Sequence, residues 1–110
     1  MGHALETAVL NELERRRAEV GYVKTAEGLE VDFLARYLAG PEELMQVCAD
    51  PSGADAMDRE LRALTSAAGE YPRARRRLLV LDRDQALRVT AQGVLVQPAY
   101  EWLLAEPSQH

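Results

Sequence analysis

Cysteine, histidine, lysine and aromatic side chains are all scarce in this chain. A single cysteine, Cys48, excludes an intramolecular disulfide and fits a reducing, cytoplasmic setting. Histidine occurs only as His3 and His110, near the two ends of the sequence, so no Cys–His nucleophile is expected and Cys48 reads as a packing thiol. No apolar run approaches the roughly 20 residues of a membrane helix, and the start Met1-Gly2-His3-Ala4-Leu5-Glu6 lacks the basic and apolar regions of a signal peptide. The expectation is a soluble protein that does not enter a membrane. Nowhere does Gly-x-x-x-x-Gly-Lys-Ser/Thr occur, which rules out phosphate binding by a P-loop in these residues. Positive charge is also short: 13 Lys and Arg face 18 Asp and Glu, and the net charge of −5 argues against nucleic-acid binding by bulk attraction.

What is present is an ordinary globular composition, 47% hydrophobic and 28% charged over 110 residues, enough for one domain spanning 1–110 around one core. The arginines are grouped as Arg15-Arg16-Arg17 and as Arg73, Arg75, Arg76 and Arg77, either a solvated helix end and a charged loop or a phosphate-contacting patch. The organising stretch is Leu29-Glu30-Val31-Asp32-Phe33-Leu34-Ala35. Its alternation predicts a strand with Glu30, Asp32 and Leu34 on one face and Val31, Phe33 and Ala35 on the other. Asp is depleted in strands, so Asp32 is expected at a sheet edge, beside a basic residue, or in a metal or catalytic site, with plain surface placement as the alternative.

Around it the order is legible. Leu5, Val9, Leu10 and Leu13 mark a helix from Ala4 to about Glu19, with Glu6 read as a first-turn acid bordering the apolar stripe and Gly21 as the stop. Gly21–Thr25 and the central strand form a hairpin about Ala26-Glu27-Gly28; a turn centred on Glu27 sets Lys24 across from Glu30 and Tyr22 across from Asp32, whereas a one-residue slip moves Lys24 to the opposite face. After Gly40-Pro41, a strand over Glu42–Ala49 buries Met45 and Val47 and sends Gln46 and Cys48 to the other face. Ser52 and Asp55 resemble a capping box for a second helix, whose stripe is Met57, Leu61, Leu64 and Ala68. Arg76–Leu81 reads as a strand covered on both faces, Asp82–Gln85 as a turn, Leu87–Val89 and Val94–Val96 as short strands, and Pro98 as the opening of a last helix carrying Trp102, Leu103 and Leu104.

The order helix, strand, strand, strand, helix, strand, together with Gly2-His3-Ala4-Leu5-Glu6, Glu12-Leu13, Glu30-Val31-Asp32-Phe33, Gln46-Val47-Cys48, Arg59–Leu64 and Pro98 with Trp102-Leu103-Leu104, resembles the PD-(D/E)xK nuclease-like fold. More closely, it resembles the C-terminal domain of unknown function found behind the ATPase module of prokaryotic AAA-type ATPases. The resemblance implies an α/β fold with a restriction-endonuclease-like αβββαβ core, a mixed sheet flanked by helices, in an excised domain or a short relative. It also implies a Mg²⁺ site in which Glu6 is the helix acid, Asp32 the central ligand and Gln46 the third ligand, while Cys48 stands where a lysine is expected. A thiol supplies no fixed positive charge.

Two functions follow as expectations. In one, a degenerate nuclease-fold domain no longer cleaves and serves as a docking or regulatory module for an AAA-type ATPase or another protein. In the other, Glu6, Asp32 and Gln46 hold Mg²⁺ for DNA cleavage, Lys24 replaces the missing lysine, and Arg73 to Arg77 face the site as backbone contacts. A third arrangement has no site at all, Glu30 and Asp32 being surface acids paired with Lys24 and Arg36. A homodimer through the Trp102 helix or a strand edge is a further expectation.

Overall fold

The computed structural model describes residues 2–49 and 54–105, so the proposed Ser52 cap lies outside the described residues. Helix α1 covers Gly2–Arg15 and ends earlier than expected. The chain leaves it through Arg17, at φ 63°. The Arg17 N–H reaches the Glu14 carbonyl at 2.9 Å and the Ala18 N–H the Leu13 carbonyl at 3.0 Å, the two bonds of a Schellman close. Arginine thus occupies the left-handed position usually given to glycine, and Gly21 lies inside the next strand rather than at the helix stop. No acid sits in the first turn of α1. Glu6 is therefore not a dipole-pairing residue.

Strands β1 (Glu19–Lys24), β2 (Glu30–Arg36) and β3 (Glu43–Cys48) are antiparallel neighbours, the first two joined by a tight turn through Gly28 at φ 86°. Helix α2 (Ala54–Glu70) leads to β4 (Arg75–Val80), and α3 (Arg83–Arg88) to β5 (Val94–Pro98). Both strands run parallel to β3, and α4 (Ala99–Leu104) closes the described chain. The protein is α/β, with a five-stranded mixed sheet in the order β1-β2-β3-β4-β5 and helices on both faces. Residues Leu87 and Arg88, expected in a strand, belong to α3, and Val89 caps it. Asp82 is its N-cap: its carboxylate accepts the Gln85 N–H at 2.9 Å, while the buried Gln85 side chain accepts the Leu81 N–H at 2.9 Å.

Two cores result. Leu34, Leu44, Cys48, Leu78 and Val80 pack under Met57, Leu64 and Ala67 of α2. Phe33, Ala35, Met45, Val47 and Leu79 pack under Val9 and Leu13 of α1 and Trp102 of α4. Every residue of β3 is buried, because it is the middle strand and both faces are covered. Truncating Leu64 or Leu79 to Ala would cost about 2–5 kcal/mol. The Arg16 guanidinium sits 4.4 Å from the Trp102 ring centre and donates to the carbonyls of Trp102 (2.8 Å) and Ala105 (3.2 Å) at the open end of α4. Glu12 holds Arg16 at 2.7 Å, and its arginine partners, Arg15 foremost, lower its carboxyl to about 2.

At the start of β3 a second polar group is buried within the α1/α4 core. Glu43, 5% exposed, takes Arg77 Nε at 3.0 Å and Tyr37 Oη at 3.1 Å, and Arg77 goes on to Gln97 Oε1 at 2.5 Å. Arginine, acid and phenol are all satisfied.

Candidate functional site

The site forms where the β2–β3 backbone ladder stops. Phe33 pairs with Met45, Leu34 with Leu44 and Ala35 with Glu43; beyond Phe33, side chains take over the pairing. Gln46, fully buried, accepts the Asp32 N–H on Oε1 at 2.6 Å and donates from Nε2 to the Glu30 carbonyl at 3.1 Å. Asp32 answers from the other strand, its Oδ2 accepting the Val47 N–H at 2.9 Å. A carboxamide and a carboxylate thus replace ladder bonds that the two backbones leave unmade.

The cause lies on the opposite side of β2. Gly21 pairs with Leu34 and Val23 with Val31, so the single residue Tyr22 opposes both Asp32 and Phe33, a β-bulge in β2. The bulge breaks the expected alternation: Val31 and Leu34 face α2, and Phe33 and Ala35 face α1 and α4. Lys24 does stand across from Glu30, as the hairpin predicts, but Tyr22 has no one-to-one partner in Asp32.

Three acids surround this point. Glu60 of α2 lies 3.5 Å from Gln46 Nε2, at the limit of a hydrogen bond. Burial lifts the half-buried Glu60 to about 7, with the Asp32 and Glu6 charges adding and Arg59 opposing. Burial likewise lifts Asp32 to about 6 against the Val47 hydrogen bond, and the charges of Glu6 and Glu30 add to it. Glu6 acts from α1 and Glu60 from α2, so acids converge on Asp32 from both layers. Among the described residues, no cation is one of the groups acting on Asp32.

Of the four residues singled out by sequence, Asp32 and Gln46 are in direct contact and Glu6 reaches them through its charge. Lys24 is exposed at the end of β1 and contributes nothing to Asp32. Cys48 is packed in the α2-side core, 4% exposed. Arg36 pairs with Glu42 at 2.6 Å, not with Asp32. The second arginine group opens β4, where Arg75, Arg76 and Arg77 align with Glu43, Leu44 and Met45, while Gln46 aligns with Leu78. That group sits toward the other end of the strands and does not face Asp32. Glu60 was legible: three residues after Met57 and four before Leu64, it lies on the apolar stripe of α2, where an acid needs a reason.

Gln46 Oε1 and one oxygen of Asp32 are engaged by backbone N–H groups, and among the described residues no three His, Cys, Asp or Glu side chains are placed to hold a metal ion. A groove of about 930 Å³ runs between Glu27 and Leu29 of the hairpin and Leu61, Arg62 and Thr65 of α2; none of Glu6, Glu30, Asp32, Gln46 and Glu60 lines it. No family model, no curated protein and no solved structure matches this chain.

Proposed function

We propose that this chain is a nuclease-fold-like domain that does not cleave and that acts as a docking or regulatory module for a protein partner, an AAA-type ATPase module by the resemblance of its sequence. One observation carries the reading: Gln46, in the third-ligand position of that resemblance, has its oxygen 2.6 Å from the Asp32 N–H and serves as a bond of the sheet. The buried thiol of Cys48 supports it, since a thiol itself carries no fixed positive charge of the kind that hydrolysis of a phosphodiester needs beside the attacking water.

Calorimetric titration with Mg²⁺ and Mn²⁺, on the wild type and on Asp32→Ala, tests the first half. The expected result is no saturable binding at about millimolar metal in either protein. Saturable binding abolished by Asp32→Ala would overturn the reading in favour of a metal-dependent nuclease using Glu6, Asp32 and Gln46. The second half is tested by adding the chain to an AAA-type ATPase module of the same source: ATP turnover should change, and an unaltered rate at saturating chain would remove the ATPase from the proposal.

A further inference from the structure

The two edges of the sheet are built differently. Strand β1 carries Glu19 and Lys24 at its exposed ends and is paired through the Asp32–Phe33 bulge, devices that discourage a further strand from adding. Strand β5 reads Val94-Leu95-Val96-Gln97-Pro98, with no charge and with proline only at its last position. Among the described residues its backbone pairs with β4 alone. Large apolar side chains are exposed on β5 and on the helices that pack on its two faces: Leu95 is 52% exposed, Leu87 of α3 76% and Leu104 of α4 82%.

We infer that β5 is an interface for a second copy of this chain, the two β5 strands pairing antiparallel about a two-fold axis normal to the sheet. The occupant is a copy because the surface complements itself. Such an axis reverses α3 beside its counterpart, and the exposed residues of α3 are Arg83, which pairs with Glu101 at 3.6 Å, Asp84, Leu87 and Arg88. Reversal sets Asp84 of each copy near Arg88 of the other, with the two Leu87 side chains between. The assembly also terminates, since each copy uses its one unguarded edge and the sheet then ends on β1 at both sides. This inference is independent of the docking proposal: β5 lies two strands away from the β2–β3 site.

Light scattering on the full chain tests it. The wild type should have the mass of two chains. Leu95→Lys, which places a charge on the edge, should reduce the mass about two-fold with unchanged circular dichroism. Asp84→Arg should weaken dimerisation about ten-fold or more, and adding Arg88→Asp should restore it. Tyr22→Lys, on the opposite edge, should leave the dimer intact. If Leu95→Lys fails to fold, the surface charge pair decides alone. A wild type that stays monomeric up to about 1 mM overturns the inference, whether β5 remains open, is covered by residues 106–110, or accepts only a strand from another protein. So does a dimer that survives Asp84→Arg, or one that Tyr22→Lys dissolves.

Discussion

Strand β3 carries a buried polar group near each end, and the two are solved in opposite ways. At its start, Glu43 meets Arg77 at 2.9 Å and is braced by Tyr37, so a negative charge is kept inside the protein by a positive one. Three residues on, Gln46 and Asp32 are braced by backbone amides while Glu6, Glu30 and Glu60 bring more negative charge, which Arg59 opposes at Glu60. The first arrangement stabilises ions. The second stabilises protons, for burial and like charge favour the neutral carboxyl. A buried acid cluster of this kind costs stability when fully ionised, and it is the one place in the described core where charge works against the fold.

The largest test of the contrast is Arg77→Met. It leaves Glu43 buried without its partner, and urea denaturation should show a loss of about 3–5 kcal/mol. A loss below about 1 kcal/mol would mean that water reaches Glu43 and that the two ends are alike. Next comes Gln46→Leu, which fits the volume but strands the Asp32 N–H and the Glu30 carbonyl. The expected cost is about 2–3 kcal/mol, with faster hydrogen exchange at the Asp32 amide.

Asp32→Asn should carry the other sign. Asparagine still accepts the Val47 N–H but bears no charge, so it should gain about 1 kcal/mol at pH 8, discounted for a site partly open to solvent, with the gain shrinking as pH falls below 6 and vanishing below the ordinary 3.8 of Asp32. The pH window follows from the shifts. Asp32 and Glu60 have folded values raised to about 6 and about 7, so the folded state binds their protons more tightly than the unfolded chain does. Their destabilising effect grows as pH rises from their ordinary values through 6 and 7, and it is absent at lower pH. Glu12, lowered to about 2, works in reverse: its contribution is present above its ordinary 4.5 and is lost as pH falls toward 2. Thermal melts should therefore give a higher Tm at pH 5 than at pH 8, and Asp32→Asn should shrink that difference. The smallest effect belongs to Lys24→Ala, expected within about 0.5 kcal/mol and with the same pH profile as the wild type, because Lys24 is exposed and does not act on Asp32. A changed profile would restore Lys24 as the cation of the site.

Much of the architecture was written in local pattern. The hairpin, the covered β4 and the amphipathic α2 each repeat their signal over several residues, and the Lys24–Glu30 pairing followed from turn length alone. Helix α3 was hidden because six residues are too few to display a helical period, and Asp82, its cap, looks the same as a turn residue. The helix end at Arg17 was hidden because the expected glycine is absent. In the site, Asp32 and Gln46 stood out as polar residues in apolar strands, and the structure brings them into contact. Their bonding was not legible, since it depends on where the ladder ends, and that depends on a bulge whose only trace is the mixed facing of Val31 and Phe33.

That bulge also limits how the protein can change. Residues Val31 to Leu34 bridge two registers, so the number of residues between them matters more than their identity: deleting one would turn either Val31 or the Phe33–Ala35 pair to the wrong layer, whatever the replacement sequence. Sequences sharing this architecture should therefore vary in length at the Glu27 turn, yet carry neither insertion nor deletion across these four positions.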